Sequence, residues 1–162
     1  MNLIIRQLSI AMAAFLVLAV FTTEMNAQGH TVSKLTLEDA ERILDAAQER
    51  AEQDEWTVAI AIVDNGGHLL AFRRLDGTQI GSVQYSIDKA VSAVYYQRPT
   101  RVFQEGLQGG NQGLLTLTDA VHLEGGVPIE HEGEVIGGIG VSGVTARQDG
   151  IIANAGIDAL GW

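Results

Sequence analysis

Val63-Asp64-Asn65-Gly66-Gly67-His68 separates two apolar segments of this 162-residue chain. The segment before it, residues 56–63, mixes Val and Ile with Ala and predicts a strand that is buried on both faces. Asn and Gly tolerate a positive φ, and residues 68–74 after the turn predict the returning strand. We therefore expect a β-hairpin over residues 56–74.

A second glycine-rich region predicts another hairpin. Strands are expected over 127–130 and 135–141, with a turn at Glu132-Gly133. Helical periodicity and capping residues predict helices over residues 37–51, 80–96, 101–108 and 145–160. Four glycines within 106–113 predict a flexible loop or lid. The order helix, hairpin, helix, hairpin, helix predicts an α+β fold with an antiparallel sheet flanked by helices.

The first 27 residues predict a secretory signal peptide. Arg6 precedes an uncharged run over residues 8–21, and Met25-Asn26-Ala27 provides a small-residue cleavage site. The run is short for a membrane span, which needs about 20 residues. We expect export to the periplasm or beyond, a flexible leader over 28–34 and a single domain over 35–162. An uncleaved anchor is the alternative, because Met25 is not the ideal residue at the third position before the cleavage site.

Composition excludes several classes of function. The net charge of −10 disfavours nucleic-acid backbones and anionic lipid surfaces as partners. The chain has no cysteine, which excludes a thiolate nucleophile, a cysteine zinc site and covalent haem attachment. Without disulfides, an exported protein depends on packing or on assembly into an oligomer for its stability.

An ordered set of short motifs resembles the GlcG/HbpS family. The motifs are Val63–Leu69, Arg74-Leu75-Asp76-Gly77, Lys89-Ala90, Pro99-Thr100, Gly125–Ile129, Gly140–Gly143, Asp149 and Ala155-Gly156. That family includes extracellular haem-binding proteins and the C-terminal domain of PduO-type corrinoid adenosyltransferases. The resemblance implies a profilin-like or Roadblock-like three-layer sandwich, with a five-stranded antiparallel sheet flanked by helices. It also implies a homo-oligomer and haem as the cofactor.

His68 is the leading candidate for a metal ligand. Neutral imidazole is the usual proximal ligand of haem iron, and a side chain that follows a tight turn can project toward a cleft. A polar residue at the rim of the sheet is the structural alternative. His122 and His131 are further candidates, but no two histidines have a short metal-binding spacing. Other possible ligands or wall residues are Tyr85, Tyr95 and Tyr96.

Three charged residues form a second candidate group. Arg74 or Lys89 would hold a carboxylate or a haem propionate, while Asp76 would handle a proton. The alternative is an Asp–Lys surface pair that joins helix to hairpin. The backbone around Gly140 and Ser142 could bind an anion, although it lacks the ending of a phosphate loop. Ser142 is not in a G-x-S-x-G context, which excludes a serine hydrolase.

Three alternative functions follow from these residues and from the resemblance. The first is an exported haem-binding or tetrapyrrole-binding protein, for sequestration or sensing, in which His68 binds the iron. The alternative is an enzyme for a small hydroxy- or oxo-carboxylic acid such as a glycolate-related compound. It would use Lys89, the Gly140–Gly143 backbone and Asp76. The third is an interaction scaffold without a ligand.

Overall fold

The computed structural model describes residues 34–162, so the predicted signal peptide and nearly all of the predicted leader lie outside the described part. The elements are α1 (Leu37–Gln53), β1 (Ala59–Asp64), β2 (Leu69–Arg74), α2 (Gly81–Tyr96), α3 (Arg101–Gln108), a 3₁₀ helix (Gln112–Thr116), β3 (Gly126–His131), β4 (Glu134–Ser142) and α4 (Ala146–Asp158). In this part of the chain, no helix is long and apolar enough to cross a membrane.

Local sequence signals explain where these elements begin and turn. Thr36 caps α1: its hydroxyl accepts a hydrogen bond from the backbone N–H of Asp39 at 3.1 Å, and Asp39 reaches back to the Thr36 backbone. Glu132 and Gly133 both have positive φ, which suits the tight turn of the second hairpin. Both predicted hairpins and all four predicted helices are therefore present, with ends shifted by a few residues.

The described residues form a sheet of four antiparallel strands in the order β2-β1-β4-β3. The expectation of five strands is wrong for this part of the chain. The residues just before β3 are irregular, and side chains of α2 bond to their backbone. Ser92 accepts a hydrogen bond from the Val121 backbone, and the Tyr96 hydroxyl donates to the Thr118 carbonyl. The sheet resumes only at Gly126.

The glycine-rich residues 106–113 contain more regular secondary structure than the sequence predicts. They comprise the end of α3, a turn and the beginning of the 3₁₀ helix. The lid interpretation stays a prediction.

Helices cover both faces of the sheet. α1 and α4 pack together on one face, and α2 packs on the other. β1 is buried on both faces, as predicted, with only Asp64 at its end partly exposed. The larger core lies beneath α1 and α4, and its bulkiest fully buried members are Ile43, Leu44, Ile60, Ile62, Ile129, Ile136, Ile139 and Ile152.

On the opposite face, α2 lies unusually close to β4. A Cβ atom at Gly140 would overlap the carbonyl oxygen of Ser86, and one at Gly138 would lie 2.8 Å from the carbonyl oxygen of Ala90. Glycine is therefore required at Gly140 because the helix backbone occupies the place of a side chain. The small core on this face consists of Val63, Ala90 and Val94.

We expect Gly140→Ala to destabilise the fold by about 3 kcal/mol or more, because the added methyl must displace a helix backbone. Urea unfolding followed by circular dichroism measures the change. The matched control is Gly81→Ala, since a Cβ at Gly81 has no neighbour within 4 Å and alanine favours a helix. Equal stability of the two variants would contradict this packing.

Candidate functional site

His68 lies on the surface at the beginning of β2, and the turn before it is fixed by Asp64. One carboxylate oxygen of Asp64 accepts hydrogen bonds from the backbone N–H groups of Gly66 and His68, both at 2.9 Å. This side chain to backbone pattern stabilises a tight turn. The His68 side chain is therefore presented to solvent from a well-defined backbone.

Two exposed side chains with large apolar surfaces lie near the turn that precedes His68. Leu69 is 50% exposed and Tyr95, near the end of α2, is 55% exposed. Tyr95 lies against the turn, because a Cβ at Gly67 would come within 2.8 Å of its ring. Within residues 34–162, no hydrogen bond or ion pair involves the His68 imidazole. We call His68, Leu69 and Tyr95 the His68 surface.

This surface continues along the edge strand β2. Ala59 and Ala61 of β1 pair with Arg74 and Phe72, and directly opposite residues share a face of the sheet. That face is the one covered by α2, whereas Arg73 points to the other face and pairs with Glu41 and Asp45. α2 packs on β4, β1 and β3, so it leaves β2 largely uncovered.

Arg74 and Asp76 lie at the opposite end of β2 from His68. Arg74 comes five positions after Leu69 along the strand, a distance of about 17 Å. Both Arg74 and Asp76 are exposed, and within the described residues neither side chain makes a hydrogen bond or an ion pair. They border a cleft of about 560 Å³ between α1 and the end of β2, which Trp56 and Leu75 also line.

Lys89 is not at the surface. It is 1% exposed, and its ammonium donates hydrogen bonds to Asp149 Oδ2 at 2.8 Å and to the Val141 carbonyl at 2.9 Å. Asp149, in the first turn of α4, is 2% exposed. Its other oxygen accepts a hydrogen bond from the Val144 backbone at 3.3 Å. Lys89 therefore joins α2 to β4 and α4.

Burial disfavours the ionised forms of both Lys89 and Asp149. Burial lowers the pKa of Lys89 from its ordinary value, although Asp149 favours the charged amine. Burial likewise raises the pKa of Asp149, against the opposing effects of Lys89 and of the Val144 and Gly143 backbone. The short distance indicates attraction, but both pKa shifts indicate that desolvation outweighs it. Relative to the unfolded chain, charging these two groups therefore costs folding free energy.

The structure separates residues that the sequence analysis grouped together. The partner of Lys89 is Asp149 rather than Asp76, so an Asp76–Lys89 surface pair is not formed. No local pattern reveals this pair, because 60 positions separate its members. Gly140 packs against the backbone of α2, and Ser142 is buried opposite Ala59.

The remaining candidate ligands have other contacts. His122 Nε2 lies 3.0 Å from the Leu114 carbonyl and donates to it, and the ring packs edge-on against Phe103. His131 packs edge-on against Trp162 at the second hairpin. Lys89 lies over the Tyr85 ring, and burial raises the pKa of the Tyr85 phenol. Among the described residues, no group of three or more His, Cys, Asp or Glu side chains could hold a metal ion.

Comparison with known proteins identifies the family. The model of the family described as haem degrading protein HbpS-like matches residues 35–158. The chain belongs to the HbpS-like family. It is also 38% identical over 108 residues to protein GlcG of Escherichia coli K12, a match that covers 67% of this chain and 81% of GlcG.

Solved structures of HbpS-like proteins have the same fold. A double mutant of Streptomyces reticuli HbpS is 34% identical, with a TM-score of 0.74 over 81% of this chain and 90% of that one. A complex of PduOC with haem is 30% identical, with a TM-score of 0.72 over 78% of this chain and 95% of that one. The α+β fold with an antiparallel sheet is thus shared across the family.

We expect Lys89→Met to destabilise the fold by about 3 kcal/mol, because it leaves the Asp149 carboxylate buried without its partner. Asp149→Asn alone should cost a similar amount, while the double variant should recover most of the loss because neither charge remains. Urea unfolding of the four chains gives the coupling free energy. Additive losses in the double variant would contradict a mutually dependent pair.

Proposed function

We propose that this HbpS-like chain binds haem at the His68 surface, with a ring nitrogen of His68 as the iron ligand. One observation carries the proposal: an exposed imidazole that bonds to no other described residue follows the turn against which Tyr95 packs, and the exposed Leu69 comes next in the chain. Neutral imidazole is a preferred ligand of haem iron. The description of the family as haem degrading and the solved complex of PduOC with haem both support haem as the bound group.

The residues around His68 fit a haem group. The macrocycle is flat and apolar, which suits Leu69, Tyr95 and the uncovered face of β2 that carries Phe72. Arg74 stands further along that face with its guanidinium unpaired among the described residues, so it would hold a propionate. Lys89 is excluded from this role because it is buried and its ammonium is paired with Asp149. When bound, haem supplies an iron whose reactivity depends on its axial ligand.

We further propose that the protein is exported, that residues 1–27 are removed, and that the mature chain forms a homo-oligomer which sequesters or senses haem. The signal-like N-terminus and the lack of cysteine support export and assembly.

The alternative enzyme for a small hydroxy- or oxo-acid has a different location. The cleft of about 560 Å³ has the size of a ligand site. There Arg74 would bind the carboxylate and Asp76 would exchange a proton with the substrate hydroxyl. A thermal shift with small acids but none with haemin would favour this alternative.

We expect titration of the purified full chain with haemin to give a saturable shift of the Soret band. His68→Ala should weaken binding by about tenfold or more, because an iron ligand is lost. The matched control is His131→Ala, because His131 lies in the other hairpin, where its ring packs on Trp162. Arg74→Ala should lower the affinity without moving the Soret band, since the iron ligand is retained. Unchanged affinity and spectrum in His68→Ala would contradict the assignment.

We expect the chain recovered from the periplasm of an expressing Gram-negative cell to lack residues 1–27 by intact-mass spectrometry. Light scattering of this product should give a multiple of the single-chain mass. Recovery of an uncut chain from the membrane fraction would contradict removal of the signal segment, and a monomer would contradict assembly.

A further inference from the structure

A second, smaller cavity lies at the opposite edge of the sheet from the His68 surface. Its volume is about 250 Å³. It lies where the beginning of α3, the backbone before β3 and the first turns of α4 meet. The residues that line it include Arg101, Glu124, Gly126, Val127, Gly150 and Asn154. Because β2 and β3 are the two edge strands, this cavity is separate from the His68 surface.

Glu124 brings a carboxylate without a partner to this cavity. Its backbone N–H is bonded to Gln104, but no hydrogen bond or ion pair to the carboxylate occurs within residues 34–162. The side chain lies across α4 at Gly150, where a Cβ would overlap it. A glycine inside a helix costs about 1 kcal/mol relative to alanine. Here the glycine makes room for the Glu124 carboxylate.

The other polar groups of the cavity are complementary to Glu124. The Asn154 amide nitrogen donates to the Gly150 carbonyl at 2.7 Å, which leaves its side-chain oxygen as a second acceptor. Arg101 provides a cation. Its only ion pair among the described residues is with Glu105 at 3.6 Å, and both side chains are 59% exposed. Such an exposed pair is weak and leaves the guanidinium available.

The buried pair behind the cavity adds no net charge. Glu124 is close enough to favour the charged form of Lys89, but Asp149 already neutralises that ammonium. The cavity therefore offers two acceptors, a guanidinium and an apolar side chain, Val127. At about 30 Å³ for each water-sized group, it has room for roughly eight heavy atoms.

We propose that this cavity binds a small zwitterion, an α-amino acid no larger than valine. The ammonium group donates to Glu124 and Asn154, and the carboxylate binds Arg101. A molecule with only a carboxylate would face the Glu124 charge, and one with only an amine would leave Arg101 unused. Opposite charges on one compact molecule satisfy both sides of the cavity.

Isothermal titration of the haem-free full chain tests this site with glycine, L-alanine, L-serine and L-valine. At least one should bind saturably with a Kd of about 1 mM or tighter. Isovalerate and isobutylamine, which each keep one charged group of valine, should bind at least about tenfold more weakly than the best amino acid. No saturable binding by any of the four amino acids, or equal binding by a single-charge analogue, would overturn the proposal.

Variants locate the binding within the cavity. Glu124→Gln and Arg101→Gln should each weaken the best amino acid by about tenfold. The matched control Glu105→Gln keeps both cavity charges and should bind as the parent chain does. Circular dichroism confirms that each variant is folded, and retained haemin binding shows that the His68 surface is intact. Undiminished amino-acid binding in folded Glu124→Gln would overturn the assignment of the ammonium group.

Discussion

The close approach of α2 to β4 is the constraint on which the rest of the structure depends. The helix backbone occupies the space where side chains of Gly138 and Gly140 would lie, so the position of α2 is set by main-chain contact. This contact places two side chains of α2 at once. Near the C-terminal end of the helix, Tyr95 lies against the turn that carries His68; in its middle, Lys89 reaches Asp149. A shift of α2 would therefore disturb the proposed haem surface and the buried pair together.

The described fold keeps two kinds of charged group apart. The Lys89–Asp149 pair is buried and occupied, and both pKa shifts show that its charges are costly there. Arg74, Arg101 and Glu124 are instead accessible and have weak contacts or none. Buried pairs of this kind contribute more to a defined arrangement than to net stability, whereas accessible charges remain available to ligands. Both proposed ligand sites lie at the edges of the sheet.

The sequence predicts the elements well because their signals are local. Thr36 with Asp39 marks the beginning of α1, and the Asn65–Gly67 turn marks the first hairpin. What it does not predict depends on tertiary contact. The irregular segment before β3 is hydrogen-bonded to Ser92 and Tyr96 of α2, and no local pattern predicts these contacts. Lys89 was assigned to an accessible site because nothing in its neighbourhood along the chain identifies Asp149. His68 is exposed after the turn, and its role as an iron ligand is a proposal.

The most direct test of the central claim is a crystal structure of the full chain with haemin bound. The account predicts the macrocycle against Leu69 and Tyr95, a ring nitrogen of His68 on the iron and a propionate directed toward Arg74. Haem bound elsewhere, or iron held by a residue other than His68, would contradict it.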